Sequence, residues 1–252
     1  MDLVICMAGQ NTRFHDVGVD IPKYLLPIEG KSVIQLILSN LLDTGVFSQI
    51  HLVAHERDIY FKELLMQSLA DFSVGHNQVH YIGETKGQAE TASLAIRLIN
   101  SNNPENPVVF HNADTVLYNR DYSKFRSDLK SGIGVIDVFE AQSPAYSYVL
   151  IQDELVVDIA EKSVISNWAT SGLYGFSSSA IYETYFQDLQ KNQHALKDSN
   201  REIYISDVVK VMIQEGYKFK PYASDKAQPD ARTVVLGSPA EYNSAVSNLG
   251  IL

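Results

Sequence analysis

The run Leu3-Val4-Ile5-Cys6-Met7 is apolar at every position and stops at the small residues Ala8-Gly9. A strand wetted on one face alternates apolar and polar residues, whereas a short unbroken apolar run marks a strand covered on both faces, as inside a parallel sheet. That requirement constrains the rest of the chain. Parallel neighbours cannot be joined by tight hairpins, so each strand must be followed by a crossover, normally a helix. After a polar, turn-rich loop over residues 9–30, Val33, Ile37 and Leu41 recur at helical spacing with Ile34 and Leu38 beside them, and Thr44-Gly45 supplies a stop. Strand-like runs at 50–54, 79–82 and 108–110 alternate with helical patterns at 58–72 and 87–100. Asn, Ser and Pro mark 100–107 as a loop. The alternation predicts an α/β fold on a mostly parallel central sheet flanked by helices.

Beyond residue 131 the rhythm changes. Four strand-like segments follow one another closely, at 132–140, 146–151, 155–160 and 170–176, which implies an antiparallel or mixed extension of the sheet. Helical stretches at 178–191 and 203–215 and strands at 217–223 and 233–236 come next. Ser238-Pro239-Ala240-Glu241 reads as a capping box with Pro at the first helical position, so a last helix begins there. With no repeat or linker evident, one domain over 1–252 is the economical expectation, with two functional halves at about 1–130 and 131–252.

Twenty basic against thirty acidic residues give a formal net charge of −10, which argues against a nucleic-acid partner, since phosphate backbones need clustered Lys and Arg. Any anionic ligand must be held by a few local cations or a metal against that overall field. The single cysteine, Cys6, excludes an internal disulfide, and its apolar setting makes it a small core residue rather than a nucleophile. No apolar run approaches the roughly 20 residues a bilayer span requires, so no membrane partner is expected. The start Met1-Asp2-Leu3-Val4-Ile5 lacks a basic, signal-like segment, and the expectation is a cytoplasmic protein.

The most informative stretch follows the first strand: Met7-Ala8-Gly9-Gln10-Asn11-Thr12-Arg13-Phe14, then Pro22-Lys23. A small-residue turn there sits at the carboxyl edge of the sheet, where open α/β folds bind ligands. Gly9 lets backbone approach a ligand, and consecutive N–H groups can cradle phosphate. Arg13 offers a planar fork of donors for phosphate oxygens, and Lys23 a point charge. The loop is neither GxGxxG nor GxxxxGK[ST]. An ordinary βα turn with two solvated cations is the competing reading. Further on, the strand Val108-Val109-Phe110 runs through His111-Asn112-Ala113 into Asp114. A carboxylate at such an end suits Mg²⁺, which prefers one or two carboxylates plus phosphates; a turn-forming Asp is the alternative. His111 fits a structural role better than a ligand's.

The segment from Ala8 to Lys31 resembles the signature of the sugar-1-phosphate nucleotidyltransferases, a Gly-rich A-G-x-G-[TS]-R loop followed by P-K-x-L-x-P-x-x-G-K. Ala8, Gly9, Thr12, Arg13, Pro22, Lys23, Pro27, Gly30 and Lys31 match. Asn11 replaces a second Gly, and Asn tolerates left-handed backbone better than most residues. The resemblance implies a Rossmann-like, nucleotide-diphospho-sugar transferase type of fold, with a nucleotide-binding first half and an acceptor-binding second half. It implies a nucleoside triphosphate and a small phosphorylated acceptor as partners, with Mg²⁺ as cofactor. Residues 8–12 (Ala8, Gly9, Gln10, Asn11, Thr12) would bind the nucleotide, and Arg13 and Lys23 would serve catalysis. Gly87 and Gln88, at the family's G-[TQ]-A position, would contact the base. Asp114 would ligate the metal. Glu161-Lys162-Ser163 resembles the family's E-K-P, so Glu161 would bind acceptor hydroxyls and Lys162 its phosphate. Ser171-Gly172-Leu173-Tyr174-Gly175-Phe176 resembles G-x-Y-x-F, where Gly172 would admit the acceptor. Glu202-Ile203-Tyr204-Ile205-Ser206-Asp207 resembles a family helix start, although Ser206 or Asp207 can equally serve as a cap.

One departure is sharp. The family often ends W-x-D-[IV]-G-T-P, whose Asp is a second metal ligand, and here Val235 stands at that position. Asp225 or Asp230 could compensate from the preceding loop; otherwise the metal relies on Asp114, phosphates and water, or catalysis is lost. The resulting expectation is nucleotidyl transfer with release of pyrophosphate, in a route to cell-surface or capsular polysaccharide precursors. A binding-only homologue and a nucleotide-sugar-dependent glycosyltransferase are the alternatives, the latter weakened because Asn112-Ala113-Asp114 is not Asp-x-Asp. The sequence leaves the base, the acceptor and a homo-oligomeric state open.

Overall fold

The computed structural model describes residues 1–42, 45–99, 104–195, 202–222 and 230–249. The first strand, β1 (Asp2–Met7), lies between β4 (Gln49–His55) and β6 (Val108–Asn112) and is parallel to both. Its side chains feed two cores in alternation. Leu3, Ile5 and Met7 enter one cluster and Val4 the other, with Cys6 packed beside it. This is why the run is apolar without a break: both faces are packed against core, with only Cys6 partly exposed. β5 (Val79–Ile82) forms the edge, parallel to β4.

One face of the sheet is covered by α2 (Val33–Leu42), α3 (Lys62–Ser68) and α5 (Tyr122–Lys130), the other by α4 (Gln88–Ile99), α6 (Ser179–Ala195) and α7 (Ile205–Gln214). Val33, Ile34, Ile37, Leu38 and Leu41 form the buried stripe of α2, as their spacing predicts. α4 buries Ala89, Ala92 and Ala95 instead, and those small side chains let it lie close to the sheet. The helical pattern over 58–72 resolves into a 3-10 turn, Glu56–Phe61, followed by the short α3. The turn persists because its polar groups are tied down locally: the Arg57 N–H donates to His55 Nδ1 at 3.0 Å and Tyr24 Oη to Asp58 Oδ2 at 3.1 Å.

The second half extends the same sheet. β11 (Trp168–Phe176) runs antiparallel between β6 and β8 (Gly134–Glu140), β12 (Phe219–Tyr222) is parallel to β8, and the ribbon of β9 (Tyr148–Gln152) and β10 (Leu155–Ala160) folds back until Tyr148 pairs with Ala169. The nine strands therefore run β5-β4-β1-β6-β11-β8-β12-β10-β9, a mixed sheet that is wholly parallel in its first four members. The register of β11 shifts between Thr170 and Tyr174, around Gly172 at φ +86°.

Three short pieces complete the path. β2 (Pro27–Ile28) and β3 (Lys31–Ser32) form a hairpin ahead of α2, and α1 (Thr12–His15) is one turn within the long first loop. β7 (Thr115–Tyr118) pairs with β13 (Arg232–Val235), drawing the C-terminal segment beside the end of β6. α8 (Pro239–Leu249) then starts where its capping box predicts, with the Glu241 N–H donating to Ser238 Oγ at 3.3 Å. No helix among the described residues is long and apolar enough to cross a membrane.

Candidate active site

The ends of β1 and β6, the loop after β5, the bulge of β11 and the turn before α8 converge on one cavity of about 640 Å³. One wall begins with Ala8, Gly9 and Gln10, which continue β1 past the sheet edge. The loop is braced: Arg57 Nη2 donates to the Gly9 carbonyl at 2.5 Å, and Gln10 Nε2 to Glu84 Oε1 at 3.1 Å. Asn11 takes the left-handed conformation, φ 57°, at the position where the family signature carries glycine. Its side chain turns away and donates to the Ile21 carbonyl at 3.3 Å. Asn11 and Thr12 therefore do not line the cavity; they shape the turn that carries Arg13 to its rim.

Lys23 reaches across from the 3-10 turn Lys23–Leu25 and places Nζ 2.6 Å from Asp114 Oδ2. Burial alone would push the Asp114 carboxyl up, but the ammonium beside it and their hydrogen bond outweigh that and hold it below the ordinary carboxylate value. Asp114 sits just past β6, with its backbone carbonyl pinned by the Leu236 N–H at 2.7 Å. Gly237 lies opposite. A Cβ there would stand 3.1 Å from Asp114 Oδ2 and 3.6 Å from Glu241 Oε2, so the missing side chain leaves a gap between two carboxylates. Oxygen donors and open space beside Asp114 are what a hard divalent cation needs. Among the described residues no cluster of three or more His, Cys, Asp or Glu side chains accompanies them, so phosphate and water oxygens would have to complete the shell. Val235 does line the cavity, paired through its backbone with Thr115 next to Asp114. Of the residues raised as substitutes, Asp230 is exposed, outside the lining, and holds Asn119 through its backbone carbonyl; Asp225 lies outside the described residues.

The base-side segment differs from its expected picture in one respect. Gly87, at φ +133°, has no Cβ because one would stand 2.3 Å from the Cγ of Glu202. The space there is filled by a side chain from the second half. Gln88 opens α4 with its amide donating to Asn112 Oδ1. Asn112 in turn explains Gly172: a Cβ on Gly172 would come 2.2 Å from Asn112 Nδ2. The glycine expected to admit an acceptor thus makes room for an asparagine of β6.

On the wall formed by the second half, Glu161, just past the end of β10, is held by two hydroxyls on Oε2, Ser147 and, at 2.7 Å, Ser206. Ser206 therefore faces the cavity, while Asp207 does the capping by accepting the Tyr204 N–H at 3.0 Å. Lys162, itself left-handed at φ 52°, donates to Tyr204 Oη at 2.6 Å, and Tyr204 Oη donates to Glu202 Oε2 at 2.6 Å. Tyr146 reaches Glu241 Oε1 at 2.9 Å and so links this wall to α8. Sequence reasoning gave no role to Tyr146, Ser147, Glu202 or Tyr204. Glu202 and Tyr204 entered only as part of a motif at a helix start, and Tyr146 and Ser147 matter through Glu241 and Glu161, partners distant in sequence.

Two residues weighed earlier fall outside this chemistry. His111 is wholly buried, with Nε2 2.8 Å from the Thr115 carbonyl, and burial lowers its pKa to about 4. A neutral imidazole donating from Nε2 satisfies that arrangement, which is structural. Burial pushes the Cys6 thiol up to about 12, so it offers no thiolate at neutral pH.

A nucleotidyl transferase family model matches residues 3–220. The bifunctional protein GlmU of Methanococcus aeolicus is 26% identical over 252 residues, 94% of this chain and 54% of that protein. The glucose-1-phosphate thymidylyltransferase of Neisseria meningitidis is 24% identical over 222 residues, 84% of this chain and 71% of that protein. The chain spans about half the length of the GlmU relatives it matches. Among solved structures, the nucleoside-diphosphate-sugar pyrophosphorylase of Vibrio cholerae superposes with a TM-score of 0.80 at 22% identity, covering 97% of this chain and 99% of that one. The inositol-1-phosphate CTP transferase of T. maritima superposes at 0.68 with 16% identity, covering 98% and 94%. The fold is thus that of the nucleotide-diphospho-sugar transferases, and the chain belongs to the nucleotidyl transferase family.

Proposed function

We propose that this chain transfers a nucleotidyl group from a nucleoside triphosphate to the phosphate of a sugar-1-phosphate or similar small phosphate, releasing pyrophosphate. The observation that carries the reading is the cavity itself: the Gly9 loop, Arg13, Lys23 and Asp114 stand on one side and Glu161 and Lys162 on the other. Residues 1–130 would supply the nucleotide side and 131–252 the acceptor side, with Glu202 and Tyr204 reaching back to the first.

An oxygen of the acceptor phosphate attacks the α-phosphorus; the bond from that phosphorus to the oxygen bridging to the β-phosphate breaks, and pyrophosphate leaves with the electron pair. The acceptor phosphate is already an anion, so no strong general base is required. The chain's work is then positioning and charge stabilisation. Backbone N–H groups after β1 face the triphosphate, and Arg13 grips it from the rim. Lys23 meets the charge that builds on the α-phosphate and the departing pyrophosphate. Glu161, fixed by Ser147 and Ser206, orients acceptor hydroxyls, and Lys162 holds the acceptor's phosphate. Asp114 would hold Mg²⁺ together with phosphate oxygens. When bound, the cation supplies further neutralisation of phosphate charge. We place this reaction in the cytoplasm, in the supply of activated sugars for surface polysaccharide.

The test is pyrophosphate release with Mg²⁺ across the four nucleoside triphosphates and a panel of sugar-1-phosphates and small phosphates. Release for one pair, lost in Asp114→Ala and lowered about 10²- to 10³-fold in Lys23→Ala, is the expected result. Silence across the grid with nucleotide binding retained would favour a binding-only protein, with Val235 as the cause.

A further inference from the structure

Lys162 carries a flexible four-carbon stem and sits in a left-handed turn at the end of β10, yet its ammonium is confined. It lies 4.5 Å from the centroid of the Tyr204 ring and donates to the Tyr204 hydroxyl at 2.6 Å. Tyr204 is itself fixed, because its backbone N–H caps onto Asp207 and its hydroxyl donates to Glu202 at 2.6 Å. Glu202 packs where Gly87 lacks a side chain, and the Ala89 N–H meets the neighbouring Ile203 carbonyl at 3.4 Å. Hydrogen bonds thus run from Lys162 through Tyr204 to Glu202, and Glu202 packs against the loop that opens α4. Lys162, Tyr204, Glu202 and Gly87 all line the cavity.

We infer that Tyr204 is a positioning residue: it holds the Lys162 ammonium ready for the acceptor's phosphate and, through Glu202, braces it against the nucleotide side of the cavity. The role rests on reading Lys162 as the ligand of that phosphate. Ring and hydroxyl act together. The aromatic face attracts the cation and the hydroxyl fixes its direction, so part of the ordering of a mobile side chain precedes acceptor binding. The hydrogen bond to Tyr204 also raises the Lys162 pKa, with the carboxylates of Glu161 and Glu202 acting the same way against partial burial.

Two readouts test this. The first needs no substrate: the rate at which a water-soluble acetylating ester modifies Lys162 near pH 8, read by peptide mass spectrometry. Tyr204→Leu should raise it several-fold and Tyr204→Phe, which keeps the ring, by less. The second uses the nucleotide and acceptor that release most pyrophosphate. Tyr204→Leu should raise the acceptor KM about tenfold, with kcat and the nucleotide KM within about twofold, and Tyr204→Phe should fall between. In a Lys162→Met background Tyr204→Leu should add nothing. Unchanged acetylation in Tyr204→Leu overturns the positioning role whatever the activity. Equal rises in both KM values, or full additivity with Lys162→Met, overturn it as well. If acetylation responds but the wild type releases no pyrophosphate with any pair, the transferase reading fails and the phosphate role with it, while the contact between Tyr204 and Lys162 stands.

Discussion

A residue's worth in this cavity depends on what its side chain, or the lack of one, leaves room for. Gly172 combines a left-handed backbone with an immediate neighbour, Asn112, whose amide also holds Gln88. Replacing it by alanine adds backbone strain and a Cβ 2.2 Å from Asn112 Nδ2. We expect Gly172→Ala to cost about 2–3 kcal/mol in urea unfolding, the sum of a disfavoured φ and a displaced side chain. Adding Asn112→Ala should recover part of that loss, and strictly additive effects would contradict the contact. This contact was not legible in the sequence, which marked Gly172 for a different reason. Arg13 and Lys23 stood out as cations in the loop after the first strand and Asp114 as an acid at the end of an apolar one, whereas Glu161 and Lys162 stood out only through the resemblance of Glu161-Lys162-Ser163 to a family motif. The structure gathers them around one cavity. Asn112, Ser147 and Tyr204 are ordinary polar residues until the fold supplies Gln88, Glu161 and Lys162 as partners.

Elements followed the same logic of local against distant information. Strands and helices with strong periodicity, such as β1 and α2, were read to within a residue or two because burial on known faces dictates their composition. β13 was expected as a strand, whereas the four residues Thr115–Tyr118, strand-like in composition but too short to stand out, become β7 only by pairing with it. The edge pair β4–β5 carries a testable consequence. His51 Nδ1 lies 3.2 Å from His80 Nε2, so only one of those nitrogens can bear a proton. Burial, then the neighbouring His80, lowers the His51 pKa, while Asp2 opposes; burial lowers that of His80. A base whose folded pKa lies below its unfolded value gives stability that is complete above the unfolded pKa and is lost as pH falls through it toward the folded one. The urea midpoint should therefore drop between about pH 7 and 5, buried His111 adding to the same drop, and His80→Gln should make it shallower. A wild-type midpoint independent of pH in this window would contradict the pairing.

Across the whole molecule the cavity depends on a C-terminal segment that leaves the nine-stranded sheet, pairs with β7 and returns to Asp114 through Leu236. One buried ion pair fastens it. Arg120 and Asp137 are both fully buried at their side chains; Arg120 Nε donates to Asp137 Oδ2 at 3.1 Å and Nη2 to Thr233 Oγ1 at 2.6 Å, tying β8 to β13. The pair follows from no local motif, since a lone Arg in a loop and an Asp within an apolar strand give no hint of each other. Removing either partner leaves a buried charge without this counter-ion, so Arg120→Ala and Asp137→Ala should each cost about 3–5 kcal/mol. Replacing both together, as Arg120→Met with Asp137→Leu, removes the two desolvation penalties along with the attraction and should cost much less than the sum of the singles. Urea unfolding of the four proteins closes this cycle. Single variants within about 1 kcal/mol of the wild type would mean that water reaches the pair and that the C-terminal segment is held by its strand pairing alone.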